Sequence, residues 1–240
     1  MAGRSLGTAL LLSVLVAGCG QKSSEPRPED FPRAQRPVAP LGISSLVEED
    51  KRDQAGEAET VMAYATVTPG MTVADIGAGE GYYTVRLARK VGEKGRVLAE
   101  DIVPAVRDRL AERVERERLD NVSVKLGEPY NPKLPANSFD RIFLVNMYHE
   151  IQQPYAFLWF VRDSLKTGGQ IVVVDNEKTT DQHGTPPRLL MCEFAALGYR
   201  RTVFKELPRS DSYLAMFEPV GERPAPKEIS ACFERNPGKV

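Results

Sequence analysis

Short apolar runs alternate with longer amphipathic segments between residues 44 and 218. Continuous or alternating apolar residues predict strands, whereas apolar residues spaced three or four apart predict helices. The predicted helices cover residues 44–66, 82–91, 105–119, 155–165 and 188–196. The predicted strands cover residues 71–76, 96–101, 121–126, 141–145, 170–174, 200–207 and 212–218. Strands that alternate with helices are typical of an α/β protein with a parallel sheet.

The first predicted strand ends in a glycine-rich turn, and a helix follows directly. Gly77, Gly79 and Gly81 allow positive φ angles and a close approach of the backbone to a ligand. The free N–H groups of such a turn face the crevice at the carboxyl end of the strand, where open α/β sheets bind nucleotide-like molecules. A tight turn without a ligand is the alternative that this stretch alone leaves open.

The spacing of the glycines separates two kinds of nucleotide site. A dinucleotide site has the pattern G-x-G-x-x-G, but Tyr82 occupies the position of its third glycine. The chain instead reads G-x-G-x-G, with Asp75 two residues before the first glycine. This arrangement resembles the first motif of class I methyltransferases that depend on S-adenosylmethionine (SAM). The resemblance implies that Asp75 lies near the methionine ammonium of SAM, and it disfavours a nicotinamide dehydrogenase.

Acids also follow the next two predicted strands. A carboxylate about 20 residues after a glycine turn can accept hydrogen bonds from both ribose hydroxyls. Asp101 is the preferred candidate because the ending Asp-Ile-x-Pro resembles that of the same family, and Glu100 is the alternative. Either acid could instead be solvated or cap the next helix. Glu128 follows Gly127 where the family commonly has an aspartate that binds the adenine amine. Residues 134–140, Leu-Pro-x-x-Ser-Phe-Asp, resemble the family's approach to its fourth strand.

The fourth predicted strand ends in Asn146-Met147-Tyr148-His149-Glu150. The resemblance places this segment beside the activated methyl group, with Asn146 among the cofactor contacts. His149 is the candidate base because imidazole changes its protonation near neutral pH. Tyr148 is the candidate that orients the acceptor, and His183 lies in a loop where the family often places substrate contacts. Each of the three side chains could equally have a purely structural role.

The resemblance covers residues 44–220 and implies one domain with a Rossmann-like, doubly wound sheet. The expected sheet has seven mostly parallel strands and ends in an antiparallel hairpin. The implied cofactor is SAM, and the implied activity is methyl transfer to an unidentified small-molecule acceptor. Methyl transfer requires mainly alignment in a dry pocket, and the sequence shows no metal-binding pattern. The alternative is a non-catalytic lipoprotein that uses the same fold to bind a ligand or partner.

The N-terminus resembles a bacterial lipoprotein signal. Arg4 precedes an apolar run, residues 9–17, that is too short to span a bilayer. The run ends in Val-Ala-Gly-Cys, which resembles a lipobox and implies cleavage of residues 1–18 and a lipid on Cys19. The expected location is the bacterial cell envelope, at the periplasmic face of the outer membrane in a Gram-negative cell. Proline-rich residues 19–43 predict a disordered tether, and residues 221–240 predict a mobile extension.

Composition adds two limits. Lys and Arg together number 32 and Asp and Glu number 33, and the resulting net charge of −1 argues against a nucleic-acid partner. Three cysteines are too few and too scattered for a disulfide framework or a zinc cluster. A disulfide between Cys192 and Cys232 suits an oxidising compartment, but their spacing does not establish one. The oligomeric state has no signature in the sequence.

Overall fold

The fold is built around one seven-stranded sheet. The computed structural model describes residues 3, 25–42, 49–208 and 210–234. Its strands are β1 (Thr72–Ile76), β2 (Arg96–Asp101), β3 (Val122–Leu126), β4 (Phe139–Val145), β5 (Leu165–Asn176), β6 (Tyr199–Glu206) and β7 (Ser212–Pro219). Its helices are α1 (Glu49–Gln54), α2 (Glu57–Tyr64), α3 (Tyr82–Val91), α4 (Pro104–Arg116), α5 (Pro154–Arg162) and α6 (Pro187–Ala196).

The strand order is β3-β2-β1-β4-β5-β7-β6. Strands β1 to β5 pair in parallel, whereas β7 pairs antiparallel with both β5 and β6. The predicted mostly parallel sheet with a C-terminal antiparallel hairpin is therefore confirmed. Chain order reverses between β1 and β4, and in an open α/β sheet the ligand crevice lies at this switch point, beyond the carboxyl ends of the strands.

Two predicted boundaries differ from the structure. The helix expected over residues 44–66 is divided into α1 and α2 by Gly56, whose φ of +67° no continuous helix accommodates. The strand expected to begin at residue 170 begins at Leu165, because Leu165 pairs with Phe139 at the start of β4. The first residues of β5, whose local sequence is typical of a helix end, therefore extend the sheet.

Both faces of the sheet are buried. Alternate residues of β1 point to opposite faces: Val73 lies in one apolar cluster with Leu87 of α3, and Ala74 lies in the other with Leu158 of α5. This double burial explains why the central strands are continuously apolar. Polar groups are consequently concentrated at the strand ends.

Residues 25–42, called here the N-terminal strap, pack against the domain instead of forming the expected disordered tether. The Phe31 ring lies 5.6 Å from that of Trp159, centroid to centroid. The Arg36 guanidinium is fully buried and binds Glu193 of α6, with 3.1 Å between Nε and Oε1. The Ala39 amide donates to the carbonyl of His149. The prolines leave one short 3-10 helix, Pro28–Asp30, in this segment, and tertiary contacts order the rest of it.

The expected mobile C-terminal extension is likewise attached, at least through residue 234. Ile229 is buried, and Cys232 forms a disulfide with Cys192 of α6. The Cys232 amide donates to the Tyr155 hydroxyl. Phe233 forms a parallel bridge with Gln35 of the N-terminal strap, so the two terminal segments contact each other on the domain surface.

Apart from Gly3, the predicted signal peptide lies outside the described residues. The lipidation site at Cys19, residues 20–24, residues 43–48, Arg209 and residues 235–240 also lie outside them. Among the helices that the structure describes, none combines the length and the apolar character required to cross a bilayer.

Candidate active site

A crevice of about 460 Å³ opens at the carboxyl ends of β1, β2, β4 and β5. Its walls come from the glycine turn, the start of α4, the segment after β4, the loop after β5 and the end of the N-terminal strap. The lining residues are Leu41, Gly42, Gly77, Gly79, Asp101, Ile102, Val103, Val106, Val145, Asn146, Met147, His149, Glu150, Asn176 and His183. None of these is Lys or Arg.

The three glycines of the turn have different surroundings. All have positive φ, between +57° and +91°. A Cβ on Gly81 would lie 2.5 Å from Leu110 of α4, and one on Gly77 would lie 2.9 Å from Met147. A Cβ on Gly79 would meet no atom within 4 Å. Gly81 therefore permits packing, whereas Gly79 keeps open space in the crevice.

Asp101 lies at the end of β2 and joins the glycine turn to the start of α4. Its Oδ2 accepts from the Gly79 amide at 3.0 Å, and its Oδ1 accepts from the Val103 amide at 2.9 Å. Both oxygens keep a lone pair, and Asp101 lines the crevice. The carboxylate thus shapes the turn and remains available to a ligand hydroxyl.

Asn146 follows β4 and lines the crevice with an unusual backbone, φ +51°. Its amide N–H donates to Val174, but its side-chain Oδ1 is buried and accepts no hydrogen bond from the described part of the chain. A buried acceptor without a partner is unfavourable. This position is suited to a ligand that carries an N–H or O–H donor.

His149 and Asp175 form a hydrogen-bonded pair in the wall of the crevice. Nδ1 of His149 lies 2.9 Å from Oδ1 of Asp175 at the end of β5. Asp175 also accepts from the Asn176 amide and the Thr185 hydroxyl. Because the Asp175 carboxylate accepts every one of these bonds, we assign the proton to Nδ1 of His149. Nε2 then presents a lone pair.

Tyr148 and Glu128 do not line the crevice. Tyr148 is fully buried, and its hydroxyl donates to Glu193 at 2.8 Å, so its side chain belongs to the core. This geometry places it away from an acceptor, contrary to the sequence-based expectation, because the turn after β4 points it at α6. Glu128 is half-buried and pairs with Lys133 at 2.8 Å.

Asp75 also lies outside the crevice lining, contrary to the expectation that it borders the cofactor. Its carboxylate is buried under α3, where Oδ2 accepts from the Thr84 hydroxyl at 2.6 Å. Burial raises the pKa of Asp75 to about 6, partly offset by the Thr84 hydrogen bond. Its observed contact ties β1 to α3, immediately beneath the glycine turn.

Glu100, the alternative to Asp101, points into the protein. Its side chain is only 1% exposed, Oε2 has no hydrogen-bond partner within the described chain, and Lys125 Nζ lies 3.7 Å away. Burial raises the pKa of Glu100 to about 7, although Lys125 opposes the shift. Ionising this carboxyl therefore disfavours the folded state.

We expect Glu100→Gln to remove a pH dependence of stability. The pKa of Glu100 is higher in the folded state than in the unfolded state. The contribution of Glu100 to stability is therefore fully present below the unfolded pKa, near 4.5, and is lost as pH rises through about 7. At pH 8 the variant should exceed the parent in free energy of unfolding by roughly 1–3 kcal/mol, and at pH 4.5 the two should agree. Urea titrations at both pH values measure this, with exposed Glu112→Gln as the control. Parallel pH profiles for the parent and Glu100→Gln would contradict it.

Comparison with known proteins agrees with this geometry. The sequence model of a family described as a methyltransferase domain matches residues 73–169. A crystal structure of a SAM-dependent methyltransferase from Aquifex aeolicus superposes with a TM-score of 0.64 and 25% identity, covering 74% of this chain and 100% of that one. The chain has the class I methyltransferase fold. The match spans both the glycine turn and β4.

Two curated relatives share parts of this methyltransferase fold. Arsenite methyltransferase of Halobacterium salinarum is 29% identical over 120 residues, 49% of this chain and 30% of the relative. Protein-L-isoaspartate O-methyltransferase of Thermotoga maritima is 31% identical over 117 residues, 49% of this chain and 35% of the relative. This chain thus spans about a third of the length of each. The comparisons support methyl transfer in general and indicate SAM as the cofactor.

The crevice of this methyltransferase fold fits SAM, which carries a sulfonium and an ammonium. Gly79 leaves open space, and Asp101 offers acceptors to hydroxyls. Oδ1 of Asn146, which has no partner among the described residues, can accept from an ammonium. The absence of Lys and Arg from the lining residues, together with the carboxylates of Asp101 and Glu150, favours a cation.

Sequence reasoning missed Asp175 as a functional residue. The predicted fifth strand ends at residue 174, directly before Asp175, but no local pattern in the sequence pairs this carboxylate with His149. The available signal was positional, because parallel strands place their carboxyl ends at one edge of the sheet. His149 follows β4, and β5 is its neighbour in the sheet.

Proposed function

We propose that this protein transfers a methyl group from SAM to a small-molecule acceptor. The observation that supports this most directly is a crevice at the switch point of a methyltransferase fold, with an open glycine turn on one side and a His149–Asp175 pair on the other. The glycine turn suits the cofactor, and the imidazole suits the acceptor.

The residues around the glycine turn would bind the cofactor. Gly79 lets the backbone approach it, Asp101 accepts from the ribose hydroxyls, and Asn146 accepts from the ammonium. SAM supplies a methyl group on a positive sulfur that leaves as a neutral thioether. No oxyanion develops on the leaving group, so the protein contributes mainly alignment and exclusion of water.

His149 would contact the acceptor. Asp175 fixes the orientation of the imidazole and keeps the proton on Nδ1, which leaves Nε2 free to accept a proton from a nucleophile. Glu150 lies beside it, with 3.9 Å between Nε2 and Oε1. Together these groups form the polar end of the crevice.

The burial of His149 favours a small acceptor. The imidazole is only 2% exposed, in the wall of a crevice that Leu41 and Gly42 of the N-terminal strap also line. A nucleophile on a folded macromolecule would have to enter this crevice, whereas a small molecule needs only its volume. The near-zero net charge gives no attraction for nucleic acid.

We also propose that the mature protein is exported and held at the bacterial membrane by a lipid on Cys19. The lipobox-like sequence supports this, and the Cys192–Cys232 disulfide suits an oxidising compartment. The N-terminal strap would then connect the lipid to the domain while remaining packed on it.

Calorimetric titration of the full-length chain with SAM and S-adenosylhomocysteine tests whether the protein binds the cofactor of the proposed reaction. We expect SAM and S-adenosylhomocysteine to bind with one-to-one stoichiometry, and Gly79→Ala to weaken both by about tenfold or more, because the new Cβ enters the crevice. Gly70→Ala is the matched control, since Gly70 also has positive φ, +89°, and open space around it. Both variants incur backbone strain of about 1–2 kcal/mol.

Two results would contradict the proposal. Failure of the parent chain to bind either compound would exclude a SAM-dependent enzyme. Equal affinities for Gly79→Ala and the parent would show that the glycine turn does not contact the cofactor. Thermal melts of both variants separate a binding defect from unfolding.

A further inference from the structure

Both histidines of the chain meet one carboxylate at the polar end of the crevice. One nitrogen of each of His149 and His183 and one oxygen of Glu150 lie within 4.8 Å of one another. The two imidazole rings are perpendicular, with centroids 5.5 Å apart. Imidazole and carboxylate together suit divalent first-row transition metals. We propose that these three residues bind a divalent transition-metal ion such as Zn²⁺.

The side chains of His149 and Glu150 and the backbone of His183 are held in place for this role. His149 is fixed by Asp175 at Nδ1, and a carboxylate bonded to this second ring nitrogen orients a metal-binding imidazole. Oε1 of Glu150 accepts from the Gly42 amide at 2.6 Å, which leaves its other oxygen available. The backbone of His183 has a left-handed conformation, φ +54°, and its carbonyl accepts from Asn176.

The space between the ligands is also preserved. A Cβ on Gly42 would lie 3.0 Å from Oε1 of Glu150 and 4.0 Å from Nδ1 of His183. Tetrahedral Zn²⁺ with ligand bonds of about 2.1 Å requires ligand atoms about 3.4 Å apart. Nε2 of His149 and Oε1 of Glu150 lie 3.9 Å apart, close to that separation. Because His183 is exposed, a rotation of its side chain can bring its nitrogen closer to both.

A metal here would define the acceptor, and this step rests on the proposed methyl transfer. Three protein ligands leave a position open to the crevice. An acceptor hydroxyl bound there would lose its proton to solvent, because the metal lowers its pKa. Its oxygen would form a bond to the methyl carbon while the carbon–sulfur bond breaks and the electron pair stays on sulfur. The acceptor class is therefore a small molecule with a hydroxyl group.

Metal binding and direct proton transfer exclude each other at His149, because both use the lone pair of Nε2. In the metal-loaded protein His149 is a ligand, and the proton of the acceptor does not pass to it. If methyl transfer requires the metal, His149 therefore does not act as the base.

Cobalt(II) titration of the full-length chain tests the site directly. The protein carries no histidine tag and is first dialysed against EDTA. We expect one Co²⁺ per chain, a visible absorption spectrum and displacement by Zn²⁺. His183→Ala and Glu150→Gln should each weaken Co²⁺ binding by at least about tenfold. Asp181→Asn, at an exposed acid near His183, should leave Co²⁺ binding unchanged.

SAM titration of the same preparations separates the two proposals. If the chain binds SAM but no Co²⁺, or if His183→Ala binds Co²⁺ as tightly as the parent, the metal site is excluded and the proposed methyl transfer stands. If it binds Co²⁺ but not SAM, the proposed methyl transfer fails and the metal site stands. His183 is exposed, so His183→Ala should keep the melting temperature of the parent, and a normal melt makes a loss of Co²⁺ binding attributable to the missing ligand.

Discussion

Replacing Arg36 with methionine is expected to lower the free energy of unfolding by about 3–5 kcal/mol. Arg36 and Glu193 are both completely buried, and their side chains are 3.1 Å apart. The guanidinium also donates to the carbonyls of Tyr148, His149 and Ile151. Without Arg36, the Glu193 carboxylate stays buried and uncompensated, and the segment carrying His149 loses three donors. Burial already raises the pKa of Glu193.

Urea denaturation of the full-length chain measures this loss. Arg33→Met is the matched control in the N-terminal strap, because Arg33 is exposed, and it should change the free energy of unfolding by less than about 0.5 kcal/mol. The double variant Arg36→Met/Glu193→Met should recover part of the loss, because it removes both buried charges. Equal stability of the Arg36→Met and Arg33→Met variants would show that the strap does not pack as the structure has it. Protein prepared for binding studies must therefore retain residues 25–42.

Replacing Asp101 with alanine is expected to weaken SAM binding about 100-fold. The change removes a charged acceptor for the ribose and also frees the Gly79 and Val103 amides. Hydrogen bonds to a charged group contribute about 1.5–3 kcal/mol each, and a 100-fold loss corresponds to about 2.7 kcal/mol. The glycine turn should lose its shape along with its ligand contact.

Calorimetric titration with SAM provides the measurement. Asp101→Asn keeps one side-chain acceptor and should have an intermediate affinity. Asp108→Asn, at an exposed acid on α4, should bind SAM as the parent does. If Asp101→Ala binds SAM as tightly as the parent, Asp101 does not contact the cofactor, and other contacts hold the glycine turn.

Asp75 and Asp101 both lie near the end of a strand, but only Asp101 lines the crevice. Both belong to acidic motifs near the glycine turn, and the sequence alone favoured both as cofactor ligands. Asp75 pairs within the sheet, opposite Ala99 and Phe143, so its side chain must point to a face that a helix covers. Asp101 lies one residue beyond the end of its pairing with β1 and can turn to the crevice. Strand register, which the sequence does not state, separates the two.

The alternation of apolar and amphipathic segments was enough to predict most of the helices and strands, and the resemblance to class I methyltransferases predicted the antiparallel ending of the sheet. The glycine spacing located the crevice. Those features depend on local backbone preferences and on periodic burial, which neighbouring residues encode together.

Contacts between distant segments were decided only by the tertiary structure. Arg36 meets Glu193, Cys192 meets Cys232, and His183 meets His149 and Glu150. Each contact requires the whole sheet to bring the segments to one place, and each stabilises polar or charged groups that no local pattern distinguishes from solvated ones. The sequence by itself therefore determined the fold and the position of the crevice. The tertiary structure decided which side chains face the crevice, because burial of the others followed from packing across the domain.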